Sequence, residues 1–188
     1  HPLDVANRPR TKEIRSAIKA YRKNLSAHAE YQLESAVGFS DVLTISPLFG
    51  LGASGNELNQ VIEDLFLQVQ EKLVICTPYF NFPRTLRSKL ARLLEQGKRV
   101  EIIVGDKVAN DFYIPPEQPF KMAGALPYLY ESNLRRFCEK FDAYIKNGHL
   151  TVRLWKDGDN TYHLKGVWVD NQYILLTGNN LNPRAWRL

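Results

Sequence analysis

Two short apolar runs, Leu73-Val-Ile-Cys-Thr77 and Arg99-Val-Glu-Ile-Ile-Val-Gly105, bracket a stretch with helical period. In that stretch Leu86, Leu90, Leu93 and Leu94 form one stripe. Pro83 stands where a helix can begin and Gly97 where one can end. This spacing constrains the fold most, because two strands joined through a helix pair in parallel by a right-handed crossover. A second stripe, Leu58, Val61, Ile62, Leu65, Phe66 and Val69, precedes the first run. Ser54 and Glu57 have the spacing of a capping box at its head. Asp41–Ser46 has strand character before that, and the loop Pro47–Gly55 is rich in glycine. Glycines before a helix can cradle phosphate, but this loop lacks the Gly-Lys-Ser/Thr and G-x-G-x-x-G patterns. An ordinary strand-to-helix connection is the simpler reading. The order strand, helix, strand, helix, strand predicts an α/β fold: a mixed, largely parallel sheet flanked by helices on both faces. Functional groups in such sheets gather beyond the carboxyl ends of the strands. Tyr79, Phe80 and Asn81 follow one such end, and Asp106 and Lys107 another.

The rest of the chain extends this plan. Residues 110–125 form a loop rich in Pro and aromatics, open to two readings: a lid or lipid contact, or a packed Ω-loop. A helix is expected over Leu126–Lys146, closed by Asn147-Gly148. Strands are expected over Leu150–Trp155, Tyr162–Asp170 and Tyr173–Leu176, joined by short turns as an antiparallel meander. Upstream, residues 1–9 suit a linker and Thr11–Glu34 a basic amphipathic helix, with Ile14, Ile18 and Tyr21 opposite Lys12, Arg15 and Lys19. That helix fits an anionic membrane surface or the flank of its own protein. The start at His1 and the end at Leu188 suggest a fragment cut at both sides, with 1–40 as linker and helix and 41–188 as the truncated domain.

Composition excludes little. Apolar residues are 44% and charged residues 24%, ordinary for a globular chain. No run approaches the ~18 apolar residues of a membrane span, and the start lacks the basic and apolar regions of a secretory leader. A net charge of +5 suits nucleic acid, anionic lipid or a phosphorylated substrate without choosing among them. Cys76 and Cys138 stand far apart in apolar surroundings, as free buried thiols do. No zinc spacing and no carboxylate cluster for magnesium is present, so no metal or cofactor is expected.

The chemistry concentrates in the last quarter, Tyr162-His-Leu-Lys-Gly-Val-Trp-Val-Asp170 and Thr177-Gly-Asn-Asn-Leu-Asn-Pro-Arg184. His163 and Lys165 are two apart, so on a strand they share a face. Asp170 can orient an imidazole, and Asn180 offers an uncharged donor. Together they can bind a phosphate, with the imidazole attacking phosphorus or moving a proton.

The pattern H-x-K-x4-D with a trailing Asn resembles the HKD motif of the phospholipase D superfamily. Thr177 stands for the family's Gly and Gly178 for its Ser, while Asn180 keeps the family spacing. The segments Ile75–Asn81, Glu101–Lys107, Asn110–Pro115, Gly124–Tyr130 and Thr177–Arg187 carry the likeness further, to the bacterial phosphatidylserine synthases of that superfamily. The likeness runs over nearly the whole chain and places it as the C-terminal of two HKD halves. It implies the superfamily fold and phosphatidyl transfer from CDP-diacylglycerol to L-serine through a phosphatidyl-histidine, with release of CMP. It also implies a partner half upstream and a cytoplasmic location peripheral to the inner membrane. By the family's habit the first motif supplies the nucleophile, so His163 would be the proton shuttle. Lys165 and Asn180 would hold phosphate oxygens, and Asp170 would orient or support. Thr177, Gly178, Asn182, Arg184, Tyr79 and Asn81 are the further candidates for lining the site. Two alternatives stand beside this reading: a cardiolipin synthase or phospholipase D with another acceptor, and a non-catalytic module binding anions or nucleic acid. Basic and aromatic residues interleave too sparsely to favour a specific nucleic-acid partner.

Overall fold

In the computed structural model, residues 8–28, 45–50, 52 and 55–187 are described. The chain divides into two compact units, His1–Leu51 and Gly52–Leu188. In the first, Arg8–His28 is a helix, α1. Ile14, Ile18 and Tyr21 are exposed on it. It begins three residues before the expected Thr11, and the expected continuation to Glu34 lies outside the described residues. The expected strand Asp41–Ser46 lies mostly outside them too, and its described residues Ile45 and Ser46 are not in a strand.

The second unit opens with α2, Glu57–Gln68. Its cap is Asn56, whose side chain accepts from Asn59 N–H at 3.0 Å. Asn56 thus does the work expected of Ser54, which lies outside the described residues. The strand β1, Lys72–Thr77, follows. Next comes α3, Arg84–Glu95, preceded by Pro83 and turned off at Gly97 (φ +75°). There Gly97 N–H bonds Leu94 O and Lys98 N–H bonds Leu93 O, the pairing that stops a helix in a left-handed residue. Then come β2, Arg99–Gly105, and a single turn at 107–109. The expected helix over 126–146 is two, α4 (Leu126–Lys140) and α5 (Asp142–Lys146), broken at Phe141. The strands β3 (Leu150–Trp155), β4 (Gly166–Val169) and β5 (Tyr173–Leu176) complete the sheet.

The sheet order is β3-β2-β1-β4-β5. The pairs β1–β2 and β2–β3 are parallel, and β1–β4 and β4–β5 antiparallel. Four strands therefore run one way and β4 alone runs back. The expected meander is only half present. β4 and β5 form a hairpin, but β3 lies across β2 and β1 from β4. Each strand of the parallel trio ends at the same edge, so residues 156–165 must cross that edge to reach β4.

Register puts Leu73, Ile75, Val100, Ile102, Val104, Leu150, Val167 and Val169 on one face. None is more than 2% exposed. Each such burial contributes roughly 1.5–3 kcal/mol before entropy is counted. α2 packs there against β4, α3 against β2 and α5 against β3, and α4 covers Phe80 through Phe137 at 4.8 Å. The opposite face presents Val74, Ile103, Trp168, Ile174 and Leu176. Ala109 and Tyr162 pack on it with Cys76, Ile103, Trp155 and Trp168, while Ile174 and Leu176 on β5 are 66% exposed. The expected mixed, largely parallel sheet with helices packed on it is thus the fold of this unit.

Candidate active site

The crossing at the carboxyl edge is what places the chemistry. Tyr162 anchors it: its N–H bonds Ala109 O at 3.0 Å, and its ring stands 5.2 Å from Trp155. Gly105 makes room, since a Cβ there would lie 3.1 Å from Tyr162 Cβ and 3.2 Å from Pro78 O. His163 follows directly and Lys165 two residues later, on the extended approach to β4 rather than within the strand. Because β4 runs backwards, its beginning meets the carboxyl end of β1, where Cys76 pairs with Gly166.

His163 Nε2 lies 2.9 Å from Asp111 Oδ1. Asp111 Oδ2 accepts from the Tyr79 hydroxyl at 2.6 Å. Tyr79 in turn stacks on Tyr130, with ring centres 5.2 Å apart and planes 15° apart. The result is a chain, Tyr79–Asp111–His163, that fixes the imidazole and engages one ring nitrogen, leaving the other for chemistry. Burial pushes the Asp111 carboxyl up, but the Tyr79, His163 and Thr161 hydrogen bonds and the imidazole charge outweigh it, and its pKa lies below the ordinary value. Burial, then the Asp111 contact, drives the Tyr79 phenol far above its ordinary pKa, so it is a permanent donor.

Lys165 Nζ donates to His163 O at 3.1 Å. Lys165 O accepts from Thr177 N–H at 3.2 Å, which brings the segment from Thr177 onwards alongside. Thr177 Oγ1 accepts from Asn179 N–H at 3.0 Å. Asn180 O accepts from Thr77 Oγ1 at 2.9 Å, pinning Asn180 to the end of β1. The Asn180 side-chain oxygen is buried with no partner among the described residues. Gly178 is open: a Cβ placed there would meet nothing within 4 Å.

Several expected residues stand elsewhere. Asp170 is at the far end of β4, some five residues or about 16 Å from Lys165. Its carboxylate accepts from Gln70, Glu71 and Lys72 N–H at 2.6, 2.9 and 2.6 Å. The carboxylate that orients His163 is therefore that of Asp111, and Asp170 serves the backbone at the amino edge. Asn182 Oδ1 caps the final turn, accepting from Ala185 N–H at 2.8 Å. Arg184 is exposed, and Asn81 lines a groove between α3 and α4. The partners that sequence reasoning missed are Asp111 and Tyr130. The long aromatic loop signalled its importance through Asp111-Phe-Tyr, but nothing local ties position 111 to 163. Behind Tyr79 lies a cavity of about 440 Å³ bounded by Val104, Val152, Leu134 and Ile145, with Lys107 and Arg135 also on its wall.

The family model described as "Cardiolipin synthase, PLD-like domain" matches residues 62–188. The chain belongs to this phospholipase D-like family. This PLD-like chain is 82% identical over 188 residues to CDP-diacylglycerol–serine O-phosphatidyltransferase of Haemophilus influenzae, covering all of this chain and 41% of that one. It is 55% identical over 186 residues to the CDP-diacylglycerol–serine O-phosphatidyltransferase PssA of Escherichia coli, covering 99% of this chain and 41% of that one. The crystal structure of phosphatidylserine synthase from Haemophilus influenzae Rd KW20 matches it with a TM-score of 0.83 and 82% identity, over 100% of this chain and 42% of that chain. The resemblance to phosphatidylserine synthases is thus borne out. The PLD-like chain spans about two fifths of the length of these relatives.

Proposed function

We propose that this chain is one half-site of an enzyme that transfers a phosphatidyl group from CDP-diacylglycerol to L-serine. The observation that carries the reading is the His163–Asp111 pair at the carboxyl edge of a chain 82% identical to an enzyme of that name. The second histidine comes from the upstream half. As that histidine attacks phosphorus, its N–P bond forms and the bond to the CMP oxygen breaks. His163, protonated, gives its proton to that oxygen. The neutral imidazole then takes the proton of serine's hydroxyl as the serine oxygen displaces the histidine. An imidazole suits both steps because it can give and take a proton near neutrality. Lys165 and the Asn180 amide would hold the phosphate oxygens. The protein would work at an anionic membrane surface, on the cytoplasmic side of the inner membrane. No helix among the described residues is long and apolar enough to cross a membrane.

The test is CMP release from CDP-diacylglycerol by the full-length protein, with and without serine. His163→Ala is expected to lower serine incorporation by roughly a thousandfold while the protein stays folded. Substantial residual turnover would sink the reading. A second reading, a cardiolipin synthase using another acceptor, is favoured by the wording of the family match. Competition of serine against glycerol and phosphatidylglycerol separates the two.

A further inference from the structure

A groove of about 780 Å³ runs between α3 and α4 and shares no lining residue with the His163 cluster. Its walls carry Arg84, Arg87 and Arg92 from α3, and Arg136 and Lys140 from α4, against the single carboxylate of Glu95. Arg84 and Arg87 stand three apart on α3 and Arg136 and Lys140 four apart on α4, so each pair lies side by side on its helix, with Arg92 further along α3. Elsewhere on the same two helices cations are matched: Lys89 meets Glu63 at 3.5 Å, and Arg135 meets Glu131 at 2.8 Å. The four groove arginines meet no carboxylate among the described residues. Like charges that line one groove repel one another, and a bound anion relieves that repulsion. Asn81, Ser88 and Asn133 add neutral hydrogen-bonding groups to the lining.

The ligand class follows from the cations. Guanidinium groups present planar forks that match phosphate oxygens two at a time. Arg84 and Arg92 are eight residues apart, about 12 Å along the helix, more than one phosphate spans. We propose that this groove is a second anion site, taking a ligand that presents two or more phosphate groups in series. Two sources share that chemistry: lipid headgroups side by side in a bilayer, and a soluble oligophosphate. The site stands apart from the proposed transfer chemistry and would govern where or when the enzyme acts.

The test uses the full-length protein with Arg87→Gln and Arg136→Gln combined. A control variant, Lys146→Gln with Arg153→Gln, removes the same charge from surface positions outside the groove. The probes are phosphatidylcholine vesicles doped with phosphatidylglycerol, read by co-sedimentation, and inorganic tripolyphosphate, read by calorimetry. The groove variant is expected to lose roughly thirtyfold in affinity for one probe, about fivefold per cation removed, while the control stays near the parent. Whichever probe suffers names the source. CMP release from detergent-dispersed substrate is read in parallel and is expected to stay near the parent value, so that loss of the groove and failure of the transfer reading are told apart. If the double variant does not fold, Arg84→Gln and Arg92→Gln are tested singly. Equal losses in groove and control variants overturn the proposal, and so does a groove variant that keeps the parent affinity for both probes.

Discussion

A hydroxyl two residues beyond β1 sets the state of a carboxylate 32 positions away. Tyr79 donates to Asp111, and Asp111 faces His163. In Tyr79→Phe the carboxylate loses one of the bonds that hold its pKa down. The Asp111 pKa then rises, and the ionised form that grips the imidazole is lost at a higher pH. The acid limb of the kcat/KM profile of the full-length enzyme should shift upward, and its plateau should fall about tenfold, as loss of a charge-assisted bond implies. An unchanged acid limb would mean that Tyr79 is only packing. Two glycines make a paired test. Gly166 has no room: a Cβ would sit 2.7 Å from Leu175 O and 2.8 Å from the Trp168 ring. Gly166→Ala should therefore cost about 1–3 kcal/mol in chemical denaturation. Gly178→Ser, which restores the family residue, meets nothing within 4 Å and should change stability by no more than about 0.5 kcal/mol. The difference in space could not be seen in the sequence, where both are glycines beside motif residues.

At the scale of elements, Asp170 joins β4 to the start of β1. It sits at φ +50° in the tight turn of the β4–β5 hairpin, with Asn171 at φ +57°, a conformation Asp and Asn tolerate better than most residues. Burial raises its pKa, but the three backbone N–H bonds and the nearby Lys98 charge outweigh this, and the folded value lies below the ordinary one. The resulting stability is complete above the unfolded pKa of about 3.9 and disappears as pH falls through the lower folded value. Asp170→Asn should thus destabilise the protein by about 2–3 kcal/mol near neutrality and converge with the parent in acid, as urea titrations across pH would read. Activity per folded molecule should survive. The strands and helices of the middle were legible because their apolar periods are local: Leu73–Thr77, Leu86–Leu94 and Arg99–Gly105 all became the elements their spacing implied. What was illegible depends on distant pairing. Nothing near Leu150 says that two strands separate β3 from β4, and nothing near Asp111 says that it meets a histidine 52 positions later. Likewise the cap is Asn56 because the helix begins at Glu57, a boundary that the apolar stripe leaves open by a few residues.

For the molecule as a whole, the exposed apolar end of the second unit's sheet, at β5, matters for that unit expressed alone. Ile174 and Leu176 stand exposed on β5, and Trp168 is only partly buried beside them. Residues 52–188 expressed alone should self-associate, as exposed apolar strands do, and Ile174→Glu with Leu176→Glu should return the fragment towards a monomer in light scattering. One end of β4 is clamped by Asp170 at the amino edge, and the other delivers Lys165 and His163 to the carboxyl edge. The spacing H-x-K-x4-D is therefore a ruler, and its length is the span of the sheet from one edge to the other. Adding one residue between Trp168 and Val169 would lift the imidazole off Asp111 and swap the faces on which Val167 and Trp168 lie. An added residue in the turn at 157–160 would leave the ruler unchanged.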